Sequence, residues 1–203
     1  SPDGTGEEVR KLMKIFSNSL FLETRLEKQG LGAAYIHGFR WAIKRKYDYI
    51  FEMDADFSHQ PMELKSMIKI LDSEADVVVG SRYINGVNVV NWPLSRILLS
   101  YFASLYVQII TSMPIKDATA GFVGYKRSVL KTINLDQMKF IGYAFQIELK
   151  YKAWVNDFKI KEHPIIFVNR VFGKSKMSGN IIWEAFFGVL FLRFNKKKFL
   201  HEI

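Results

Sequence analysis

The sequence predicts an α/β fold: a mixed, mainly parallel sheet flanked by helices. Three observations predict it. Short apolar runs alternate with longer segments of helical spacing. The runs are rich in β-branched residues, as in "DVVVG", Asp76–Gly80. Charged and polar residues gather just after the runs, where ligands bind in such sheets.

The elements follow in order. Gly4–Phe16 and Gly32–Lys46 have helical apolar spacing, the second after the glycine-rich "QGLG". Asp48–Met53 is a short strand. Pro61–Leu71 is a helix with proline in its first turn, where a missing N–H is harmless. Asp76–Gly80 is the next strand, and Pro93–Ser112 a long apolar helix. Ala118–Tyr125 is expected as a strand and Tyr143–Val155 as a helix. Phe158–Val168 is a strand interrupted by Pro164, which puts it near an edge. Asn180–Phe194 is a strongly apolar helix.

The 203 residues suit one domain, or one domain with an appendage. With no cysteine, disulfides and zinc–thiolate sites are excluded. The net charge of +9 favours phosphates, nucleic acid or anionic lipid as partners. Residues 165–203 hold seven Lys/Arg and two acids, so the basic charge concentrates there. No run of roughly 18 apolar residues goes uninterrupted, so no transmembrane segment is expected.

The first strand ends in Met53-Asp54-Ala55-Asp56. Two carboxylates this close repel unless they are solvated or joined by a divalent cation. A solvated turn that caps the next helix explains the pair as well as a metal does. Arg82, in "GSRY", ends the second strand as a surface residue or a phosphate fork. Arg96, Ser100, Ser104 and Gln108 recur every four residues on the long helix, making a narrow polar stripe between apolar flanks. Such a stripe is commonly a solvent face. It also fits a grip on a lipid phosphate. "NRVFGKSKMS", Asn169–Ser178, is a glycine-centred basic loop suited to phosphate or simply to the surface. Ile181–Leu192 and the cations after it suit a helix lying on a membrane, or a core helix with a basic end.

The motifs "SPDGT" (Ser1–Thr5), "GLGAAY" (Gly30–Tyr35), "MDADFSHQP" (Met53–Pro61), "GSRY" (Gly80–Tyr83), "NWPLSRILLS" (Asn91–Ser100), "TAGFVGY" (Thr119–Tyr125), "GYAFQIE" (Gly142–Glu148) and "FVNRVFGKSKMS" (Phe167–Ser178) run through nearly the whole chain. In this order they resemble the polyprenol- or dolichyl-phosphate mannosyltransferases, inverting family 2 glycosyltransferases with a GT-A fold. The resemblance implies transfer of mannose from GDP-mannose to a polyprenyl phosphate by a peripheral protein on the cytoplasmic face of a membrane. It implies Mg2+ or Mn2+ held by Asp54 and Asp56. It puts Arg82, Arg96 and Ser100 on the lipid phosphate. It puts Asp3, Asp54, Asp56, Arg170 and Lys176 on the nucleotide sugar, with Asp56, Arg82, Arg170 and Lys176 as the catalytic set. Ser58 stands where some relatives carry a glutamine metal ligand.

It also implies that a first strand–helix unit, with much of the nucleotide site, is missing ahead of Ser1. Residues 1–178 are then the catalytic domain lacking that segment, and 179–203 a membrane-associating helix with a basic tail. A UDP-sugar donor, as in a polyprenyl-phosphate glucosyltransferase, is the nearest alternative. A non-catalytic membrane-binding relative is another. Nucleic acid is not expected as a partner, since the cations lie in loops beside apolar helices and no nucleic-acid motif appears.

Overall fold

A computed structural model describes residues 3–27, 29–140, 142, 144–169 and 179–200, with only the backbone at 179–182. Its helices are α1 (Thr5–Met13), α2 (Leu31–Lys44), α3 (Glu63–Ser73), α4 (Leu94–Thr111), α5 (Arg127–Thr132), α6 (Ala144–Val155), α7 (Gly179–Phe194) and α8 (Lys196–Phe199). Its strands are β1 (Tyr49–Glu52), β2 (Val77–Ser81), β3 (Val89–Val90), β4 (Val123–Lys126), β5 (Ile160–Pro164) and β6 (Phe167–Val168).

Four strands form one sheet in the order β1-β4-β2-β5. β4 is antiparallel to both its neighbours, while β2 and β5 are parallel, so β1, β2 and β5 share one direction and β4 opposes them. The mixed sheet is as expected, but two boundaries are not. The run expected as a strand from Ala118 is paired as a strand only from Val123; of the residues before it, Phe122 still accepts the Gly80 N–H at 2.8 Å. The run Phe158–Val168 divides at Pro164. Its first half forms the edge strand β5, and its second half pairs in parallel with β3 in a separate ribbon. β3, α5 and α8 were not anticipated.

The side-chain period of two sorts the core. Val77 and Val79 of β2 pack with Phe39, Tyr125, Phe145 and Leu149 on the α2/α6 side. Val78 packs with Met67, Leu71, Phe122 and Ile165 on the α3 side. β2 is buried along its whole length, which explains its uninterrupted apolar reading. A further cluster joins α4, α6, α7 and α8 through Val107, Ile147, Tyr151, Val189, Leu192 and Phe199.

α4 is long and apolar enough to cross a membrane by length and composition. Its polar stripe does not face solvent. Arg96 turns into a cleft, and Ser104 is buried with its hydroxyl 3.4 Å from that of Thr119. The apolar side is the exposed one, with Leu94, Leu98, Phe102 and Ile109 open to solvent. α7 packs beside it, Tyr106 stacking on Phe186 at 4.9 Å and donating its hydroxyl to the Phe186 carbonyl at 3.1 Å. α7 also exposes Trp183 and Phe187, each 61%, and Phe194, 82%. An outward apolar surface this size on a folded domain marks an interaction face.

Candidate active site

β1 and β2 end at the same rim, and because β4 is reversed, the chain enters it from that rim. Asp54, Asp56, Arg82, Arg96, Thr119 and Gly121 thereby come to line one cleft of about 750 Å³.

Its acidic edge is a tight turn after β1. Asp56 Oδ1 accepts the Ser58 N–H at 3.1 Å and the Ser58 hydroxyl, an Asx turn that spans Phe57. Phe57 has a φ of 62°, uncommon for an aromatic residue. The Ser58 hydroxyl is thus directed at Asp56. The Asp54 N–H donates to His59 Nδ1 at 3.1 Å. His59 is buried between Phe122 and Phe167, at 5.0 and 5.3 Å. Burial pushes its pKa down, against the pull of Asp54. A neutral ring with Nδ1 as acceptor therefore holds the backbone at Asp54. The donors here are carboxylate oxygens, and no third His, Cys, Asp or Glu joins them among the described residues. That set fits a hard divalent cation completing its shell with water and phosphate.

The basic edge has two arginines in different states. Arg82 Nε and Nη2 fork onto Asp117 at 2.7 and 2.6 Å, and Nη2 also reaches the Thr119 hydroxyl at 2.9 Å. Burial opposes the Arg82 charge, but Asp117 more than offsets it and holds the pKa above its usual value. Asp117 is correspondingly held low by Arg82, despite its own burial. Glu162 fixes the same loop by accepting the N–H groups of Lys116 and Asp117, each at 2.9 Å. Arg96 lies over the Trp92 ring at 3.9 Å and donates to Asn169 Oδ1 at 2.9 Å. Ser100, one turn along α4, is set beside the Tyr83 phenol instead of lining the cleft.

Residues 1–133 match the family described as glycosyl transferase family 2. The chain belongs to that family. It is 44% identical over 189 residues to the polyprenol monophosphomannose synthase of Mycolicibacterium smegmatis, covering 93% of this chain and 71% of that protein. It is 43% identical over 185 residues to the undecaprenyl-phosphate mannosyltransferase of Micrococcus luteus, covering 91% of this chain and 75% of that protein.

Within this family 2 glycosyltransferase the structure brings Asp54, Asp56, Arg82 and Arg96 together. Asp3 is not among the residues lining the cleft. Its carboxylate accepts the Thr5 N–H at 3.1 Å and hydroxyl at 2.6 Å, which holds it low and starts α1. Arg170 and Lys176 lie outside the described residues.

Several residues of the candidate site were not singled out by sequence reasoning. Asp117, forked onto Arg82, is one. His59, whose place before a helix reads as a surface or capping histidine, is instead buried and holds the Asp54 backbone. Beneath the floor, buried Glu52 accepts Tyr125 Oη and Gln146 Nε2, both at 2.9 Å. Buried Lys150 donates to the Ala120 carbonyl at 2.7 Å. Burial raises Glu52 to about 7, against the pull of Lys150. Burial lowers Lys150 to about 8, against the pull of Glu52. Gln146 stands inside "GYAFQIE", a motif that marked the segment without marking that residue.

Proposed function

We propose that this glycosyltransferase moves mannose from GDP-mannose to the phosphate of a polyprenol, at the cytoplasmic face of a membrane and with inversion. The names of the two relatives support the acceptor class and the sugar. The observation that carries the reading is one cleft with an acidic and a cationic edge, beside a helix whose apolar side faces out. A lipid phosphate needs both: cations for its head and a hydrocarbon-facing surface for its anchor.

In this reading Arg96 and Arg82 orient the acceptor phosphate, with Ser100 and Tyr83 behind them. A phosphomonoester has its second pKa near about 6, so the attacking oxygen is already charged at neutral pH. No side chain has to remove a proton from it. The phosphate oxygen attacks the anomeric carbon as the bond to GDP breaks, and GDP leaves from the opposite side. The service of Arg82 and Arg96 is mainly to hold the phosphate in line. Asp54 and Asp56 would hold Mg2+ or Mn2+, which when bound offsets the charge growing on the leaving diphosphate. Arg170 and Lys176 supply cations to the same diphosphate in this proposal. α7, α8 and the tail form the membrane-associating part, with Lys196, Lys197 and Lys198 toward anionic lipid.

The test supplies full-length protein with polyprenyl phosphate, Mg2+ or Mn2+, and labelled GDP-mannose or UDP-glucose in parallel. Label entering the organic phase from GDP-mannose alone, and abolished by EDTA, is expected. Label from UDP-glucose instead would overturn the donor assignment. EDTA-resistant transfer would overturn the metal assignment.

A further inference from the structure

The floor of the cleft contains a glycine that the fold does not require. Gly80, in the same lining, is held bare by packing: a Cβ there would meet Phe122 Cδ1 at 3.1 Å and Ile165 Cδ1 at 3.2 Å. Gly124 is likewise bare because the Phe51 ring of the neighbouring strand lies over it. Gly4 and Gly86 have φ of 82° and 100°, which favour glycine. Gly121 has neither reason. Among the described residues a Cβ on it would meet nothing within 4 Å, and its φ is not left-handed. Gly38 is as unconstrained, but it is exposed on α2 and away from the cleft lining. Ala120 and Phe122 on either side of Gly121 are buried, so the empty space belongs to the cleft.

A second observation concerns the same floor. Gln146 lines the cleft and is 3% exposed. Its Nε2 donates to Glu52 Oε2 at 2.9 Å, which fixes the amide. Its Oε1 is buried without a hydrogen-bond partner among the described residues. A buried acceptor left unmatched is destabilising, and a hydroxyl is the donor it lacks.

We infer that Gly121 is a specificity-determining position, bare because the transferred hexose lies over it, with Gln146 Oε1 accepting from one of the sugar hydroxyls. The inference rests on the glycosyl-transfer reading and assigns the sugar half of the donor to this floor. A side chain at Gly121 would occupy the volume of the ring without disturbing the fold. The nucleoside diphosphate, held elsewhere, would not feel it.

The test uses Gly121→Ala and Gly121→Val in the full chain, titrated calorimetrically with GDP and with GDP-mannose in Mn2+, and melted without ligand. Unchanged melting and GDP affinity within about twofold of wild type are expected, with GDP-mannose affinity falling about tenfold or more for Val and less for Ala. Gln146→Leu should weaken GDP-mannose and leave GDP unaffected. Equal losses for GDP and GDP-mannose, or no loss for either, would overturn the inference. If wild-type protein binds UDP-glucose instead, the donor assignment fails, and UDP with UDP-glucose tests the subsite on the same terms.

Discussion

A lysine with no exposed surface is stable only if its charge is answered, and Lys150 is answered by Glu52 and by the Ala120 carbonyl. The pair has a readable pH signature. Glu52 is raised from 4.5 to about 7, so the folded state holds its proton more tightly than the unfolded state. Its contribution is therefore present at low pH and is lost as pH climbs through that window. Lys150→Met removes the charge that opposes this rise and leaves Glu52 buried alone. The variant should lose stability at about pH 7.5, and clearly less at about pH 5.5, where Glu52 is protonated with or without Lys150. Glu52→Gln with Lys150→Met should recover most of the loss. Urea melts at the two pH values check this; equal losses at both would mean that Glu52 is not the partner of Lys150. Asp54, Asp56, Arg82 and Arg96 could be read from the sequence because each follows a strand or opens a helix. Asp117 and Gln146 could not, because their partners are 35 and 94 residues away. Local spacing does not show which buried acid answers which cation.

At the scale of the element, α4 shows what periodicity can and cannot say. The polar stripe Arg96–Ser100–Ser104–Gln108 was legible, since i, i+4 spacing puts those residues on one side of any helix. Which way that side faces was not. A stripe on an apolar helix ordinarily faces water, and here Arg96 turns to the cleft and Ser104 is buried, while Leu98 and Phe102 face out. The inversion makes sense if the outer medium is itself apolar. Phe102 on α4 and Phe187 on α7 are both exposed, so charging them should leave the core intact. Burying one such ring is worth about 1.5–3 kcal/mol, so Phe102→Glu with Phe187→Glu should weaken binding to phosphatidylglycerol-containing vesicles by roughly tenfold or more. Co-sedimentation with a melting control measures it. Unchanged vesicle binding would take these two helices out of the proposed membrane contact.

At the scale of the whole molecule, the alternation of strand and helix showed the α/β class, but not the reversal of β4. A strand carries no mark of its direction in its own pattern; direction depends on how the chain returns to the sheet. The reversal matters because it brings Thr119, Ala120 and Gly121 to the rim where β1 and β2 end. The site thus draws on three strands, α4 and α6, and a ligand there should stabilise all of them together. At a hundredfold excess over its Kd, a ligand adds about 2.7 kcal/mol. For a domain of this size each kcal/mol is worth about 2–4 °C. In the full-length protein, Mn2+ with GDP should therefore raise the Tm by roughly 5–10 °C. Two substitutions separate binding from scaffold. Asp54 is exposed, so Asp54→Asn should melt like wild type without ligand and lose most of the shift with Mn2+ and GDP. Asp117 is fully buried against Arg82, so Asp117→Ala should melt lower with or without ligand, by about 3–5 kcal/mol of stability. Differential scanning fluorimetry of the three proteins, with and without Mn2+ and GDP, reads both effects. A full shift surviving in Asp54→Asn would take the acid pair out of metal binding. A normal unliganded melt for Asp117→Ala would mean that the Arg82 fork contributes no stability, and that Arg82 keeps its place without it.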